Sequence, residues 1–202
     1  MHTRATEPAP TMPHRSPTSG ASNARPRGKR IAAGLASRSR GVIVLAACVG
    51  FAARLAFGFG YWVDKPLTHD ELEYLTLARN LAAGQGFTYD APASIEAGGI
   101  APQQFGRAPG YPVFLALVSM LSPLDPAATA TPDAVKVAQA ILGAVSVVVI
   151  ATLAARIAGP GAGTVAAIIT AVHPPLVWIS AYVLSEALYS PLALLSALIS
   201  AV

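Results

Sequence analysis

Four long apolar runs dominate the chain, over residues 41–63, 134–157, 162–178 and 184–202, and a mixed segment, 64–133, separates the first from the second. At about 1.5 Å of rise per residue the first run reaches about 34 Å, enough to cross the hydrocarbon core of a bilayer. The pattern predicts an all-α, polytopic membrane protein with four transmembrane helices. Residues 1–40 break it. Pro8, Pro10, Pro13, Pro17 and Pro26 among scattered Ser and Thr leave too little apolar surface to fold, so this segment reads as a disordered tail.

Punctuation refines the elements. Thr68-His69-Asp70-Glu71 reads as a capping box, with Glu71 three residues after the Thr68 cap, and opens a helix that Gly84 closes after about Ala83. Tyr74, Leu75, Ala78, Leu81 and Ala82 share one of its faces, which suits a helix lying on the membrane surface. The apolar run 113–121 is too short to span and predicts a second interfacial helix. Thr131-Pro132 starts the second span and Arg156 ends it, and Gly159-Pro160-Gly161 makes the turn into the third. His173-Pro174-Pro175 disturbs the far end of that third span, where Trp178 is placed as an interface anchor. Its glycines fit close helix packing. Ser185-Glu186 opens the fourth.

Composition agrees with this layout, because 53% hydrophobic and 12% charged residues are too apolar for a soluble domain of 202 residues. Charge adds direction. The net charge is +4, yet Arg4, Arg15, Arg25, Arg27, Lys29, Arg30, Arg38 and Arg40 all precede the first span. The positive-inside rule puts that tail in the cytoplasm of a bacterial-type inner (plasma) membrane. Segment 64–133, with Asp64, Asp70, Glu71, Glu73, Asp90, Glu96, Asp125 and Asp133, then lies on the outer face. The tail lacks an aromatic residue for stacking, which argues against nucleic acid as a partner and leaves membrane lipids. The single cysteine, Cys48, excludes an internal disulfide and a Cys/His metal set. Leu45-Ala46-Ala47-Cys48 resembles a lipoprotein cleavage box, but the apolar stretch continues past it, as a span requires.

Candidate chemistry concentrates on the outer segment. Asp70 and Glu71 are carboxylates at a helix start, where acids also complement the helix dipole and cap it without any catalytic duty. Arg107 and Arg79 are cations able to contact a phosphate, or to anchor the segment to anionic headgroups. Tyr74 and Tyr111 suit sugar stacking or simple interface anchoring. Glu186, an acid at the mouth of an apolar helix, points to a cavity or a partner, or else is simply exposed just above the bilayer. Arg54, deep in the first span, faces protein, water or a lipid phosphate, or else snorkels. His173 has no convincing ligand set and reads as structural.

Taken together, Asp70-Glu71 with Tyr74, the segment Arg107-Ala108-Pro109-Gly110-Tyr111-Pro112 and Ser185-Glu186 resemble the protein mannosyltransferase and aminoarabinose transferase superfamily of membrane glycosyltransferases, in its bacterial family-39 flavour. The likeness covers residues 41–202. It implies a partial GT-C fold and a polyprenyl-phosphate sugar donor. It also implies inversion at the sugar carbon and a glycan, lipid or protein acceptor. By the same resemblance Asp70 matches the active-site acid of the first outer loop, Glu186 a second acid near the third and fourth helices, and Arg107 the basic residue before the Pro-containing segment. Family members carry many more helices, so the 202 residues are expected to be an N-terminal portion, inactive alone. Mg²⁺ or Mn²⁺ bridged by Asp70 and Glu186 would suit two oxygen ligands beside a phosphate, and the sequence leaves that open. The rival reading is a non-catalytic multi-pass protein, a transporter fragment or an assembly subunit, which a membrane-depth cavity around Arg54 would favour.

Overall fold

The computed structural model describes residues 27–89 and 107–200, with backbone alone for 27–36. The described residues fold into helices and connecting turns: α1 (Arg27–Gly60), α2 (His69–Ala82), α3 (Gly110–Ser119), α4 (Asp133–Ala158), α5 (Pro160–Val172), α6 (Pro174–Trp178), a 3₁₀ turn (Ile179–Ala181) and α7 (Glu186–Ser200). Residues 1–26 and 90–106, which hold most of the basic tail and of the Gly/Pro-rich loop, lie outside the described residues. Helix α1 opens at Arg27, inside the segment expected to lack structure, so residues 27–40 continue the first span as helix.

Among the described residues two helices are long and apolar enough to cross a membrane, Ser37–Gly60 within α1 and Asp133–Ala158. A third span forms only if Pro160–Val172 and Pro174–Ala181, bent by 55° at His173, count as one. The fourth expected run holds a shorter apolar helix among the described residues, α7, with Pro191 inside it. The bend has a local cause: Pro174 and Pro175 have no N–H to continue the ladder of α5, so a new helix starts at Pro174.

Small residues set how closely the spanning helices approach. Ala46, Val147, Ala151, Ala167 and Ala171 form one buried cluster shared by α1, α4 and α5. A Cβ on Gly50 would sit 3.1 Å from the Ala171 Cα, and one on Gly163 only 2.7 Å from the Ala151 carbonyl oxygen, so glycine fixes both crossings. The turn between α4 and α5 depends on Gly159 at φ +88°, followed by Pro160 in the first turn of α5.

The second core gathers the short helices. Tyr74, Leu75 and Ala78 of α2 pack with Tyr111, Leu115 and Val118 of α3, with Val135 of α4, and with Val183. Leu81 is only partly covered and Ala82 is exposed. The apolar face of α2 is therefore covered by protein rather than laid on the membrane surface, because two short amphipathic helices bury more apolar area against each other than either does alone. Helix α3 keeps an apolar outer side, with Leu117 and, just beyond it, Met120 and Leu121 exposed.

Candidate functional site

The capping box forms as the sequence spells it. Thr68 Oγ1 accepts from the Glu71 N–H at 3.4 Å, and Glu71 Oε2 accepts from the Thr68 N–H at 2.8 Å. The Thr68 hydroxyl also donates to Oε2 at 2.9 Å, and Oε1 accepts from the Val183 N–H at 2.8 Å. At 2% exposure, with both oxygens committed, Glu71 is a strut between the start of α2 and the approach to α7. A candidate acid on sequence grounds, it has no open face in the structure.

With capping done by its neighbours, Asp70 is left for another task. Its Oδ1 receives a hydrogen bond from Arg107 Nη2, and the side chain stays half-exposed at 50%. Arg107 Nε donates to Glu73 Oε2 at 2.7 Å, and its guanidinium lies 5.2 Å from the centre of the Tyr74 ring. Glu73 also meets His69 Nε2 at 3.2 Å. The hydrogen bond to Glu73 above all, and that to Asp70, raise the pKa of Arg107 and hold it charged against the opposing pull of burial. Two carboxylates face one guanidinium, so the cluster is net negative and Arg107 is already paired.

Behind the ion pairs runs a buried relay. Tyr74 meets Tyr111 edge-on, with centroids 5.0 Å apart at 88°. The Tyr111 hydroxyl donates to Gln139 Oε1 at 2.9 Å, and Gln139 Nε2 donates to the Ser180 carbonyl at 3.2 Å. Both tyrosines are buried, which removes them from sugar stacking and from interface anchoring alike and makes them the floor of the site. Burial, first of all, pushes the Tyr111 hydroxyl well above its ordinary pKa.

Other candidates stand apart. Arg79, nine residues after Asp70 and so about 13 Å further along the helix, lines a separate cavity of about 280 Å³ with Ser119, Pro123 and Leu124. Burial lowers its pKa and the nearby Asp125 partly restores it. Glu186 is exposed, accepts from Ser185 Oγ at 3.3 Å, and lines a slot of about 50 Å³ with Arg54, Gln139, Ser146 and Ser180. Arg54 does not snorkel: at 2% exposure, its Nη1 donates to the carbonyls of Gly50 at 2.8 Å and Ala171 at 3.3 Å. Gly143 makes room for it, since a Cβ there would run into the Arg54 side chain. His173 is exposed at the bend.

Among the described residues no group of three or more His, Cys, Asp or Glu side chains is placed to hold a metal. Asp70 is held by Arg107 while Glu186 belongs to a different slot, so the residues do not fit a shared Mg²⁺ or Mn²⁺.

Two further members of the site carry a signal in the sequence. Glu73 lies three residues after Asp70 and hence on its side of the helix. Gln139 is a lone amide in an otherwise apolar span, the kind of residue that faces a bundle interior. Comparison with protein-family models finds no match, and comparisons with curated proteins and with solved structures find none either.

Proposed function

We propose that this chain builds the acceptor side of a membrane glycosyltransferase that takes its sugar from a polyprenyl-phosphate carrier. One observation carries the reading. Asp70 is relieved of capping by Thr68 and Glu71, is oriented through Oδ1 by Arg107, and has no partner for Oδ2 among the described residues. A half-exposed carboxylate held in that way suits a general base. An acceptor hydroxyl gives its proton to Asp70 Oδ2 as its oxygen bonds the sugar carbon. The bond from that carbon to the carrier phosphate breaks, and the phosphate leaves with the electron pair. Arg107 positions Asp70. The acceptor is a glycan, lipid or protein hydroxyl. The site faces the outer side of a bacterial-type inner membrane, with the N-terminus in the cytoplasm, in keeping with the basic residues ahead of α1. The sequence resemblance to family-39 membrane glycosyltransferases supports the same chemistry.

The test is Asp70→Asn in the natural full-length protein. Transfer from a polyprenyl-phosphate sugar is expected to fall about 10²- to 10⁴-fold, the usual share of general acid–base catalysis. Donor binding is expected to change little. Near-normal transfer by Asp70→Asn sinks the assignment.

A non-catalytic role, as part of a transporter or an assembly, draws on a different observation, the polar slot at Arg54. Its volume of about 50 Å³ holds a water or two rather than a passing solute. Solute flux through the reconstituted protein that Arg54→Gln abolishes and Asp70→Asn leaves intact would favour that role.

A further inference from the structure

A large cavity lies away from Asp70. It is a groove of about 930 Å³ between the C-terminal part of α1 and the bent segment α6, lined by Phe57, Tyr61, Trp62, Pro174, Pro175 and Trp178 among others. The 55° break at His173 swings α6 out of line with α5, and a wedge opens beside α1. Its walls are braced rather than loose. Trp62 packs on Tyr182 at 4.5 Å and Trp178 meets the same ring edge-on at 5.1 Å. The size falls within the roughly 300–1,000 Å³ of ligand sites, and the lining is apolar and aromatic as such sites are.

One cation lies beside this groove, against two of its lining rings. The Lys65 ammonium lies 5.2 Å from the centre of the Tyr61 ring and 6.0 Å from that of Trp62. It makes no ion pair among the described residues, although Asp64 precedes it. Tyr and Trp rings gather at headgroup depth in membrane proteins, and a lysine beside them attracts anionic headgroups. An apolar trough with an ammonium beside its aromatic end that has no acidic partner among the described residues matches a molecule with a long hydrocarbon chain and one anionic phosphate. A partner helix would fill the trough but leave the charge unanswered.

We propose that this groove binds an anionic membrane phospholipid, with its hydrocarbon chain between α1 and α6 and its phosphate against Lys65. The site stands independently of sugar transfer at Asp70.

The chain supplies its own probe, because its two tryptophans, Trp62 and Trp178, both line the groove. The full chain is reconstituted in phosphatidylcholine and titrated with bromine-labelled phosphatidylglycerol or bromine-labelled phosphatidylcholine, and tryptophan quenching is followed. Quenching by the anionic lipid is expected at lower mole fraction. Lys65→Gln is expected to weaken that preference about fivefold, the worth of one lysine at an anionic surface. Lys65→Arg should retain it. Lys65 is exposed, so neither change threatens the fold, and the variants Trp62→Phe and Trp178→Phe show that each ring senses the lipid. Unlabelled polyprenyl phosphate that relieves the quenching at lower mole fraction than unlabelled phosphatidylglycerol assigns the groove to an isoprenoid chain and overturns the proposal. Failure to relieve it, with the anionic preference intact, identifies an ordinary phospholipid. Equal quenching by both labelled lipids, or no effect of Lys65→Gln, means bulk lipid alone and overturns the proposal. Asp70→Asn should leave every quenching curve unchanged, so loss of transfer and loss of lipid binding are separable.

Discussion

Two adjacent acids, Asp70 and Glu71, look alike in sequence and have opposite situations in the fold. Glu71 is buried and accepts from two backbone N–H groups and a hydroxyl, whereas Asp70 is half-exposed and held by one arginine. Glu71→Gln turns an acceptor into an amide NH₂ facing a donor, so a loss of about 1–3 kcal/mol is expected. Asp70→Asn loses only a partly screened pair, for about 1 kcal/mol or less. Thermal unfolding in detergent ranks the two, and an Asp70→Asn protein less stable than Glu71→Gln contradicts the assignment. The capping box was legible because its three-residue spacing is local. That the same carboxylate reaches Val183 was not, since no rule of spacing connects positions so far apart in the chain. Arg107 beside Asp70 is the corresponding case at the site.

Among the elements, the starts of α2, α4 and α7 and the turn at Gly159 followed from local sequence, because caps, prolines and glycines act within one turn of themselves. Other helix bounds did not follow as well: α1 opens at Arg27, ahead of the apolar run, and the helix expected over 113–121 covers Gly110–Ser119. The packing glycines give a sharp test. Gly163→Ala would press a Cβ to 2.7 Å from the Ala151 carbonyl oxygen and from the Ala155 Cβ, an overpacking expected to cost about 1–3 kcal/mol. Gly161→Ala meets nothing within 4 Å and should be neutral or slightly stabilising. Equal melting temperatures for the two variants would mean that α4 and α5 are not packed at Gly163.

For the whole molecule, the orientation proposed from the basic tail has a direct measurement. In a chain carrying Cys48→Ser, a cysteine at Leu121, beyond α3, should react with an impermeant thiol reagent in intact cells, and one at Gly161, in the first turn of α5, should not. The reverse labelling pattern would turn the protein over and place Asp70 on the cytoplasmic side. What the sequence determined by itself was the solvent and the local punctuation: apolar runs of membrane length, a capped helix after the first, a proline break at His173. These follow from properties that each residue carries wherever it sits, its hydrophobicity and its backbone preferences. Only the tertiary structure decided which side of each helix would be covered, that Tyr74 and Tyr111 would be floor rather than surface, and that Arg79 would stay apart while Glu73 joined Arg107. Those outcomes depend on how α2 and α3 pair over the start of α4, a contact between segments distant in the chain whose register no local pattern encodes.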